Sequence, residues 1–317
     1  MIPPYETSSK ILKLITSISE KIGEVNANYL SKQSPQLRKQ NRIKTIQSSL
    51  QIEGNSLSEE QITALIENKH VVGPEKDILE VLNAIRVYDK LLTYAKTSSS
   101  SFLSAHKELM QGLIVDAGNY RKQGVGIVKG DKVEHVAPPH ENVPFLMNDL
   151  FKYLENKDEL TLLKSCVFHY EMEFIHPFMD GNGRMGRLWQ TVILLSEYPV
   201  FEYLSYETLI SKTQNEYYKA LAASDRIGKS TPFIEYMLHV INKSLGELLN
   251  YNNRILKDID RIDYFTSVCS SEFTRKDYMT IFKDLSSASA SRDLKKGVDL
   301  GLFSISGNKN QTKYNLN

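Results

Sequence analysis

The sequence contains few cysteines and no large excess of charge of either sign. Two cysteines in 317 residues, Cys166 and Cys269, are too few for a disulfide framework and favour a reducing compartment. The 39 Lys and Arg residues and 38 Asp and Glu residues leave a formal net charge of +1. This balance gives no whole-chain case for coating nucleic acid or for adhering to an anionic membrane.

Long apolar runs are also lacking. No run reaches the ~20 residues that a helix needs to cross a bilayer. The first residues, Met1 to Tyr5, lack the basic and then apolar pattern of a signal peptide. We therefore expect a cytoplasmic protein with no membrane partner. A length of 317 residues allows a substantial core and more than one domain.

Apolar periodicity predicts a mainly α-helical fold. Apolar residues recur at helical spacing through residues 11–25, and a second helix is predicted over residues 38–52. The sequence Ser58-Glu59-Glu60-Gln61 then fits a capping box at the start of the next helix. Further helices are predicted over residues 78–94, 101–113, 143–154, 160–174, 184–197, 208–223 and 232–249.

Two short regions break the helical pattern. Residues 124–128 and 133–136 are rich in β-branched side chains and flank a Gly130-Asp131 turn, which predicts a hairpin. Beyond residue 255, a short helix near 273–277 and another over 286–300 are followed by a second hairpin around Gly307-Asn308. Helix, turn, helix and hairpin is the outline of a winged helix-turn-helix.

Reactive side chains are concentrated at residues 176–187, which read His-Pro-Phe-Met-Asp-Gly-Asn-Gly-Arg-Met-Gly-Arg. The imidazole of His176 can take a proton near pH 7, and the Asp180 carboxylate can hold Mg²⁺ beside phosphate oxygens. The glycine turn leaves backbone N–H groups open to an anion. Arg184 and Arg187 lie three residues apart, share a helical face and can clamp phosphates. This set of residues suits a nucleoside triphosphate.

This stretch resembles the Fic family signature His-x-Phe-x-Asp/Glu-Gly-Asn-Gly-Arg-x-x-Arg at every fixed position. The resemblance covers roughly residues 1–245 and includes Gly118-Asn119-Tyr120-Arg121 and the first hairpin. It implies a Fic-type helical core with a small hairpin flap. It also implies transfer of AMP from the substrate ATP, with Mg²⁺, to a Tyr, Thr or Ser hydroxyl of a target protein. We expect an N-terminal helical region over 1–100, a catalytic core over 101–250 and a winged helix over 255–317.

The resemblance assigns roles to the residues of the motif. His176 would be the general base and Asp180 the Mg²⁺ ligand, while Phe178 would anchor the loop in the core. Arg184 would contact the α- and β-phosphate region and Arg187 the γ-phosphate. An alternative for both arginines is a surface salt bridge.

Other positions receive roles in the same way. The turn Gly181-Asn182-Gly183 would cradle the phosphates, with the Asn182 side chain near the α-phosphate. The flap residues would hold the target segment by strand addition. Tyr217 and Tyr218 either line an adenine pocket or belong to the core. The predicted flap residues are Val125, Gly126, Ile127 and Val128.

A second match concerns regulation. Ser49-Leu50-Gln51-Ile52-Glu53-Gly54 fits the family's inhibitory pattern, at the position before the catalytic motif that defines class II. The resemblance implies that Glu53 pairs with Arg187 and blocks the γ-phosphate, with the inhibitory helix at about residues 38–54. In some family members this glutamate also supports removal of AMP, so both directions stay open. The alternative is an ordinary solvated glutamate at a helix end.

The C-terminal region leaves its partner open. Between residues 275 and 313, eight Lys and Arg residues (275, 276, 283, 292, 295, 296, 309 and 313) stand against four Asp residues (277, 284, 293 and 299). This mild excess falls short of a dense basic face, although residues 286–292 could serve as a recognition helix. Winged helices also serve as protein or dimer contacts. The main alternative function is therefore a nucleotide-sensing, DNA-binding transcriptional regulator, and a homodimer also stays open.

Overall fold

The computed structural model describes residues 3–28, 35–129, 132–253, 258–269, 272–282, 285–307 and 312–316. The chain separates into two compact units, Met1–Leu249 and Asn250–Asn317. Fourteen α-helices and two two-stranded sheets lie within the described residues, which makes the fold mainly helical. In this part of the chain, none of the helices combines the length and apolar character that a membrane span requires.

Five helices precede the first hairpin. They are α1 (Ser9–Asn28), α2 (Pro35–Ile52), α3 (Glu59–Ile66), α4 (Glu75–Asp89) and α5 (Ser99–Leu109). The predicted capping box is confirmed at the start of α3, where Ser58 Oγ accepts from Gln61 N and Gln61 Oε1 accepts from Ser58 N. These paired bonds satisfy donors that a helix start would otherwise leave open.

The first hairpin consists of β1 (Gly126–Lys129) and β2 (Lys132–Val136), joined in antiparallel register. Gly126 pairs with Val136, and the register shifts between Ile127 and Val128. The residues predicted to turn the hairpin, Gly130 and Asp131, lie outside the described residues. The hairpin itself is where the sequence predicts it.

Six helices complete the first unit: α6 (Val143–Leu154), α7 (Thr161–Ile175), α8 (Asn182–Leu195), α9 (Glu207–Lys212), α10 (Gln214–Ile227) and α11 (Thr231–Asn253). Helices α7 and α8 form the centre of the core, since nearly all of their residues are buried. Around them pack the rings of Phe102, Phe151, Phe168, Phe178 and Trp189.

Three predicted helices end differently in the structure. The helix predicted over 208–223 is two helices, because Thr213 has φ −119° and ψ 36° and separates α9 from α10. The helix predicted over 78–94 ends at Asp89 and continues as the 3₁₀ turn Leu91–Thr93. The helix predicted over 101–113 ends at Leu109, where the Asn83 side chain donates to the Leu109 carbonyl. In the first and third cases the reason is local backbone geometry or a side-chain contact that periodicity cannot reveal.

The second unit contains three helices and a hairpin: α12 (Asp258–Val268), α13 (Arg275–Ile281), α14 (Ser287–Asp299), β3 (Phe303–Ser306) and β4 (Lys313–Leu316). The strands are antiparallel, with Phe303 opposite Leu316. Its separate core includes Ile262, Phe265 and Leu294. Of the turn predicted between the strands, Gly307 has a φ of 79° and Asn308 lies outside the described residues.

Candidate active site

His176 directly follows α7 in a backbone conformation that L-residues rarely adopt. Its φ of 49° and ψ of 60° are left-handed, and its N–H donates to the Met172 carbonyl at 3.0 Å. Among the described non-glycine residues, only Asn68 also has a positive φ. Such strain persists only where the surroundings over-determine the conformation, and it is common at functional sites. His176 Nδ1 lies 3.3 Å from the Glu173 carbonyl, which favours the proton on Nδ1 and the lone pair on Nε2.

The His176 carbonyl is held by a buried guanidinium. Arg121 is only 2% exposed, and its Nε donates to the His176 carbonyl at 2.8 Å. Its Nη1 and Nη2 donate to the carbonyls of Gln123 and Pro138, at 2.8 and 2.5 Å. Gln123 and Pro138 lie on either side of the first hairpin, so one side chain fixes both the His176 loop and the base of the hairpin. Burial lowers the pKa of Arg121.

Phe178 anchors the loop between α7 and α8. It is fully buried, and its ring stacks on that of His106 with centroids 3.5 Å apart. His106 Nδ1 accepts from Gly118 N, so its Nε2 carries the proton that is donated to the Asp180 carbonyl at 3.0 Å. Burial lowers the pKa of His106 to about 4, which keeps the ring neutral at pH 7. The loop is therefore held by packing and by neutral hydrogen bonds.

The Asn182 side chain closes the turn. Its Oδ1 accepts from Phe178 N and its Nδ2 donates to the Phe178 carbonyl, both at 2.9 Å. Asn182 is 2% exposed. The resemblance also places this side chain near an α-phosphate, but in the structure its amide fixes the loop and leaves at most one N–H for a ligand.

The turn before α8 is built around glycines. Gly181 is the N-cap of α8 and has a φ of 85°, a conformation that glycine adopts without strain. The first turn of a helix presents N–H groups without intrahelical partners, which suits a phosphate. A Cβ atom at Gly183 would lie 2.5 Å from Glu53 Oε1 and 3.1 Å from Arg187 Nη1. The Glu53 carboxylate therefore lies directly against this turn.

Arg184 bridges two carboxylates. Its Nη1 binds Glu80 Oε1 at 3.1 Å, and its Nη2 binds Asp180 Oδ1 at 3.0 Å. The Arg184 side chain is 4% exposed, whereas that of Asp180 is 50% exposed. Glu80 is also held by Asn55, whose Nδ2 donates to its Oε2. Asp180 thus places one oriented, accessible carboxylate beside the glycine turn.

Arg187 is held by the end of α2. Its Nε donates to Ser49 Oγ at 3.0 Å, and its Nη2 donates to the Ser49 carbonyl at 2.9 Å and to Glu53 Oε1 at 2.7 Å. The Arg187 side chain is 1% exposed. Burial acts to lower its pKa, but Glu53 and other nearby acidic groups outweigh burial and raise it. The interpretation of Arg184 and Arg187 as surface salt-bridge residues is therefore wrong.

The two predicted tyrosines occupy different environments. Tyr217 is 2% exposed and belongs to the core, with its hydroxyl 3.0 Å from His169 Nε2 and 3.2 Å from Glu173 Oε1. Tyr218 is 39% exposed, and its hydroxyl accepts from Gln214 at 3.4 Å. Only Tyr218 therefore offers an accessible ring face to a ligand.

Comparison with known proteins identifies the class. The Fic/DOC family model matches residues 96–194. A Fic family protein from Desulfovibrio desulfuricans G20 is 37% identical, and its crystal structure matches 100% of this chain and 98% of that chain with a TM-score of 0.78. This chain therefore belongs to the Fic family, with the mainly helical fold expected from its motif.

More distant relatives carry named activities. The "Protein adenylyltransferase Fic" of Nematostella vectensis is 26% identical over 260 residues, which are 76% of this chain and 57% of that protein. The "Protein adenylyltransferase fic-1" of Caenorhabditis elegans is 26% identical over 267 residues, or 78% of this chain and 50% of that protein. The chain spans about half the length of these curated relatives. A structure of Fic-1 from C. elegans shares the fold, with 21% identity, a TM-score of 0.63 and coverage of 76% of this chain and 72% of that one.

Sequence reasoning missed several residues that shape the site. Arg121 was quoted only as part of a resemblance, while Glu80 drew no attention and His106 was expected to be structural or exposed. Each lies in a helix or loop remote in sequence from the motif. The only usable signal was the presence of a basic or acidic side chain on an otherwise apolar face, such as Glu80 between Leu79 and Val81.

Proposed function

We propose that the chain transfers AMP from ATP to a hydroxyl of a target protein and is an autoinhibited Fic enzyme of class II. The hydroxyl oxygen forms a bond with the α-phosphorus of ATP, the bond from that phosphorus to the bridging oxygen breaks, and pyrophosphate leaves. The hydroxyl proton passes to His176 Nε2. The observation that carries the proposal is one loop that joins this imidazole to a glycine turn and two buried arginines.

The site has a defined phosphate region. The glycine turn at the start of α8 offers backbone N–H groups, and Arg184 and Arg187 supply guanidinium groups on the same helix. The Glu53 carboxylate already binds Arg187 and lies against Gly183, so it occupies the position of an anionic ligand. A γ-phosphate is the ligand that would compete with it.

Magnesium fits this arrangement as a partner of the nucleotide. Among the described residues, no group of three or more His, Cys, Asp or Glu side chains could hold a metal. Mg²⁺ commonly takes one or two protein carboxylates together with substrate phosphates and water. Asp180 would supply that carboxylate, and the bound ion would neutralise charge on the phosphates. Arg184 orients Asp180 by binding its Oδ1.

Glu53 and Ser49 form the proposed inhibitory contact. The pair of Glu53 with a 1% exposed arginine is partly desolvated, and charge-assisted hydrogen bonds of this kind are strong. Two of the three bonds from α2 to Arg187 come from Ser49 and remain when Glu53 is removed. Glu53→Gly should therefore free the phosphate position while α2 continues to orient Arg187.

The proposed flap would position the target. A two-stranded sheet leaves an unpaired edge on each strand, and an extended peptide can add to such an edge. The base of the hairpin is tied to the His176 carbonyl through Arg121. Residues 125–128 would thus align a target hydroxyl with the imidazole.

The test is the intact mass of the full chain after incubation with Mg-ATP, using wild type, Glu53→Gly, and Glu53→Gly combined with His176→Ala. We expect adenylyl adducts on Glu53→Gly and few on the other two. Glu67→Gly is a matched control, because Glu67 is a surface residue that pairs only with lysines near α3. Adducts that persist without His176 would contradict its role as base.

An enzyme that modifies only an external target would show no adduct on itself. For that reason the same variants are also incubated with labelled ATP and a lysate of the source cells. Labelling of lysate proteins by Glu53→Gly alone supports transfer, and labelling by none of the variants refutes it. Equal labelling by wild type and Glu53→Gly would refute autoinhibition while leaving transfer intact.

For the second unit we propose a winged helix-turn-helix that contacts DNA. The support is the order of three helices and an antiparallel hairpin, with Ser287, Ala288, Arg292 and Lys295 exposed on α14. Small and basic residues can approach a groove. Salt-dependent binding of a mixed DNA pool that is weakened by Arg292→Ala would support this, and binding that ignores the substitution would refute it.

A further inference from the structure

A second cavity lies in the first unit, apart from the His176 loop. It measures about 340 Å³ and is lined by α2, α4, α8, α9 and the segments before and after them. Its apolar wall includes Leu92, Leu195 and Phe201, and its polar wall includes Thr45 and Thr191. A cavity of this size with an apolar body and a few convergent polar groups is typical of a small-molecule site.

Unpartnered polar atoms converge on this cavity. In the part of the chain that the structure describes, six buried side-chain nitrogen or oxygen atoms have no hydrogen-bond partner. Three of the six belong to residues that line the cavity: Arg42 Nε, the Tyr88 hydroxyl and Glu207 Oε2. Because buried polar groups in native proteins are almost always satisfied, this coincidence needs a partner from outside the protein chain.

The polar groups define the chemistry of that partner. Glu207 is fully buried, and its burial raises the pKa of its carboxyl to about 8, so the group is mostly neutral at pH 7 and both donates and accepts. Arg42 Nε is a donor, while its charge is already balanced by Asp89 at 2.5 Å. Arg38 at the rim is similarly paired with Glu202 at 3.1 Å. The cavity therefore offers donors and acceptors but no unpaired charge.

We propose that this cavity binds a small uncharged molecule with an apolar body and an amide-type edge, and that its occupancy is coupled to the contact between Glu53 and Arg187. The ligand edge accepts from Arg42 Nε and exchanges hydrogen bonds with the Glu207 carboxyl. Its apolar body packs between Leu195 and Phe201.

The coupling follows from helical spacing and rests on the proposed autoinhibition. Thr45 lies four residues before Ser49 on α2, and Thr191 lies four residues after Arg187 on α8, so the cavity is one turn from the inhibitory contact on both helices. Thr191 Oγ1 also donates to the Arg187 carbonyl at 3.2 Å. A ligand between Thr45 and Thr191 therefore bears on the same two helices whose separation sets the Glu53–Arg187 distance.

The test measures binding directly on the full chain, by calorimetric or NMR titration at pH 7. Three probes share an aromatic body and differ in charge: benzamide is neutral, benzoate is an anion and benzylamine is a cation. We expect saturable binding of benzamide at least about tenfold tighter than that of either charged probe. Leu195→Trp, which fills the cavity, and Glu207→Leu, which removes its polar end, should each weaken binding by at least about tenfold.

Leu12→Trp is the matched control, because Leu12 is 55% exposed on α1 and should leave binding unchanged. Failure of benzamide to bind wild type, or equal binding to Leu195→Trp, would show that the cavity takes water alone and overturn the proposal. Tighter binding of benzoate or benzylamine would overturn the uncharged class.

The coupling is tested by comparing benzamide affinity for wild type and Glu53→Gly. We expect a difference of at least about threefold, since linkage makes the effect reciprocal. Equal affinities would overturn the coupling. This readout does not depend on AMP transfer, so its failure is distinct from failure of the adenylylation assay.

Discussion

Arg121 Nε donates to the carbonyl oxygen of His176 at 2.8 Å, across 55 residues of sequence. The same guanidinium binds the carbonyls of Gln123 and Pro138, and the Arg121 N–H donates to the Pro177 carbonyl. A left-handed histidine needs such external support, because its conformation is unfavourable by itself. Arg121 is therefore a positioning residue that couples the hairpin to the proposed base.

Replacing Arg121 by Lys should separate turnover from nucleotide binding. An ammonium cannot reproduce the planar donor set, so at least one buried carbonyl loses its partner and the imidazole shifts. In the Glu53→Gly background we expect kcat for AMP transfer to fall by about 10- to 100-fold while KM for ATP changes by less than about threefold. Lys122→Met, at the exposed neighbouring position, is the control. A proportional rise in KM, or unchanged kcat, would rule out the positioning role.

Gly183→Ala should have opposite effects from Glu53→Gly on the phosphate region. The added methyl group would lie 2.5 Å from Glu53 Oε1, in the space that the carboxylate now fills. It would push Glu53 away from Arg187 but also block that space sterically. We expect the double variant Glu53→Gly with Gly183→Ala to form about tenfold fewer adducts than Glu53→Gly, measured by intact mass.

Gly23→Ala serves as the control for the alanine substitution. A Cβ at Gly23 meets nothing within 4 Å, and alanine favours a helix, so activity should be unchanged and stability the same or slightly higher. If the double variant with Gly183→Ala proves as active as Glu53→Gly alone, the phosphate does not use the space beside Gly183.

Local sequence patterns predicted the fold where the physics is local. The period of apolar residues predicted α6 with both ends as observed at Val143 and Leu154, and the Ser58 capping box followed from two side chains three residues apart. The break at Thr213 could not be foreseen, because the apolar pattern runs through it while the backbone leaves the helical region. Intrinsic propensity at one residue is too weak to decide such a break.

The candidate site shows the same division. The motif at 176–187 is contiguous, so its loop and its two arginines follow from the sequence alone. The partners of those arginines do not, since Glu80 is 104 residues from Arg184 and Ser49 is 138 residues from Arg187. The contact of Arg187 with Glu53 was expected only through a family resemblance. Long-range contacts depend on tertiary packing, which periodicity does not encode.

The second unit should depend on one buried ion pair. Arg261 binds Asp293 through two bonds, at 2.6 and 2.9 Å, and the Asp293 side chain is 3% exposed. Asp293→Asn leaves a guanidinium with a neutral partner in a mostly buried position. We expect the unit to lose about 3–5 kcal/mol of its free energy of unfolding, measured by urea denaturation.

An exposed pair in the same unit provides the comparison. Lys313 and Glu272 lie 2.7 Å apart with side chains 52% and 45% exposed, so Lys313→Met should change stability by no more than about 1 kcal/mol. Equal losses in Asp293→Asn and Lys313→Met would mean that burial does not set the strength of these pairs.

Glu207→Gln should stabilise the first unit increasingly as the pH rises. Burial raises the pKa of the Glu207 carboxyl from its usual 4.5 to about 8, so the folded chain binds a proton that the unfolded chain releases between these values. The corresponding stability is complete below pH 4.5 and is lost as the pH rises through 8. Glutamine keeps the shape and does not titrate. We therefore expect the free energy of unfolding of wild type, relative to the variant, to fall between pH 5 and 8.

The slope of that fall should approach about 1.4 kcal/mol per pH unit, since one proton is exchanged on unfolding. Urea denaturation of both proteins at matched pH values measures it, and Glu216→Gln, on α10 and away from the cavity, should show no such slope. Parallel pH profiles for wild type and Glu207→Gln would mean that the carboxyl is ionised in the folded protein. In that state a cation or a strong donor would be required beside Glu207 Oε2, and benzylamine rather than benzamide would be the expected ligand of the cavity.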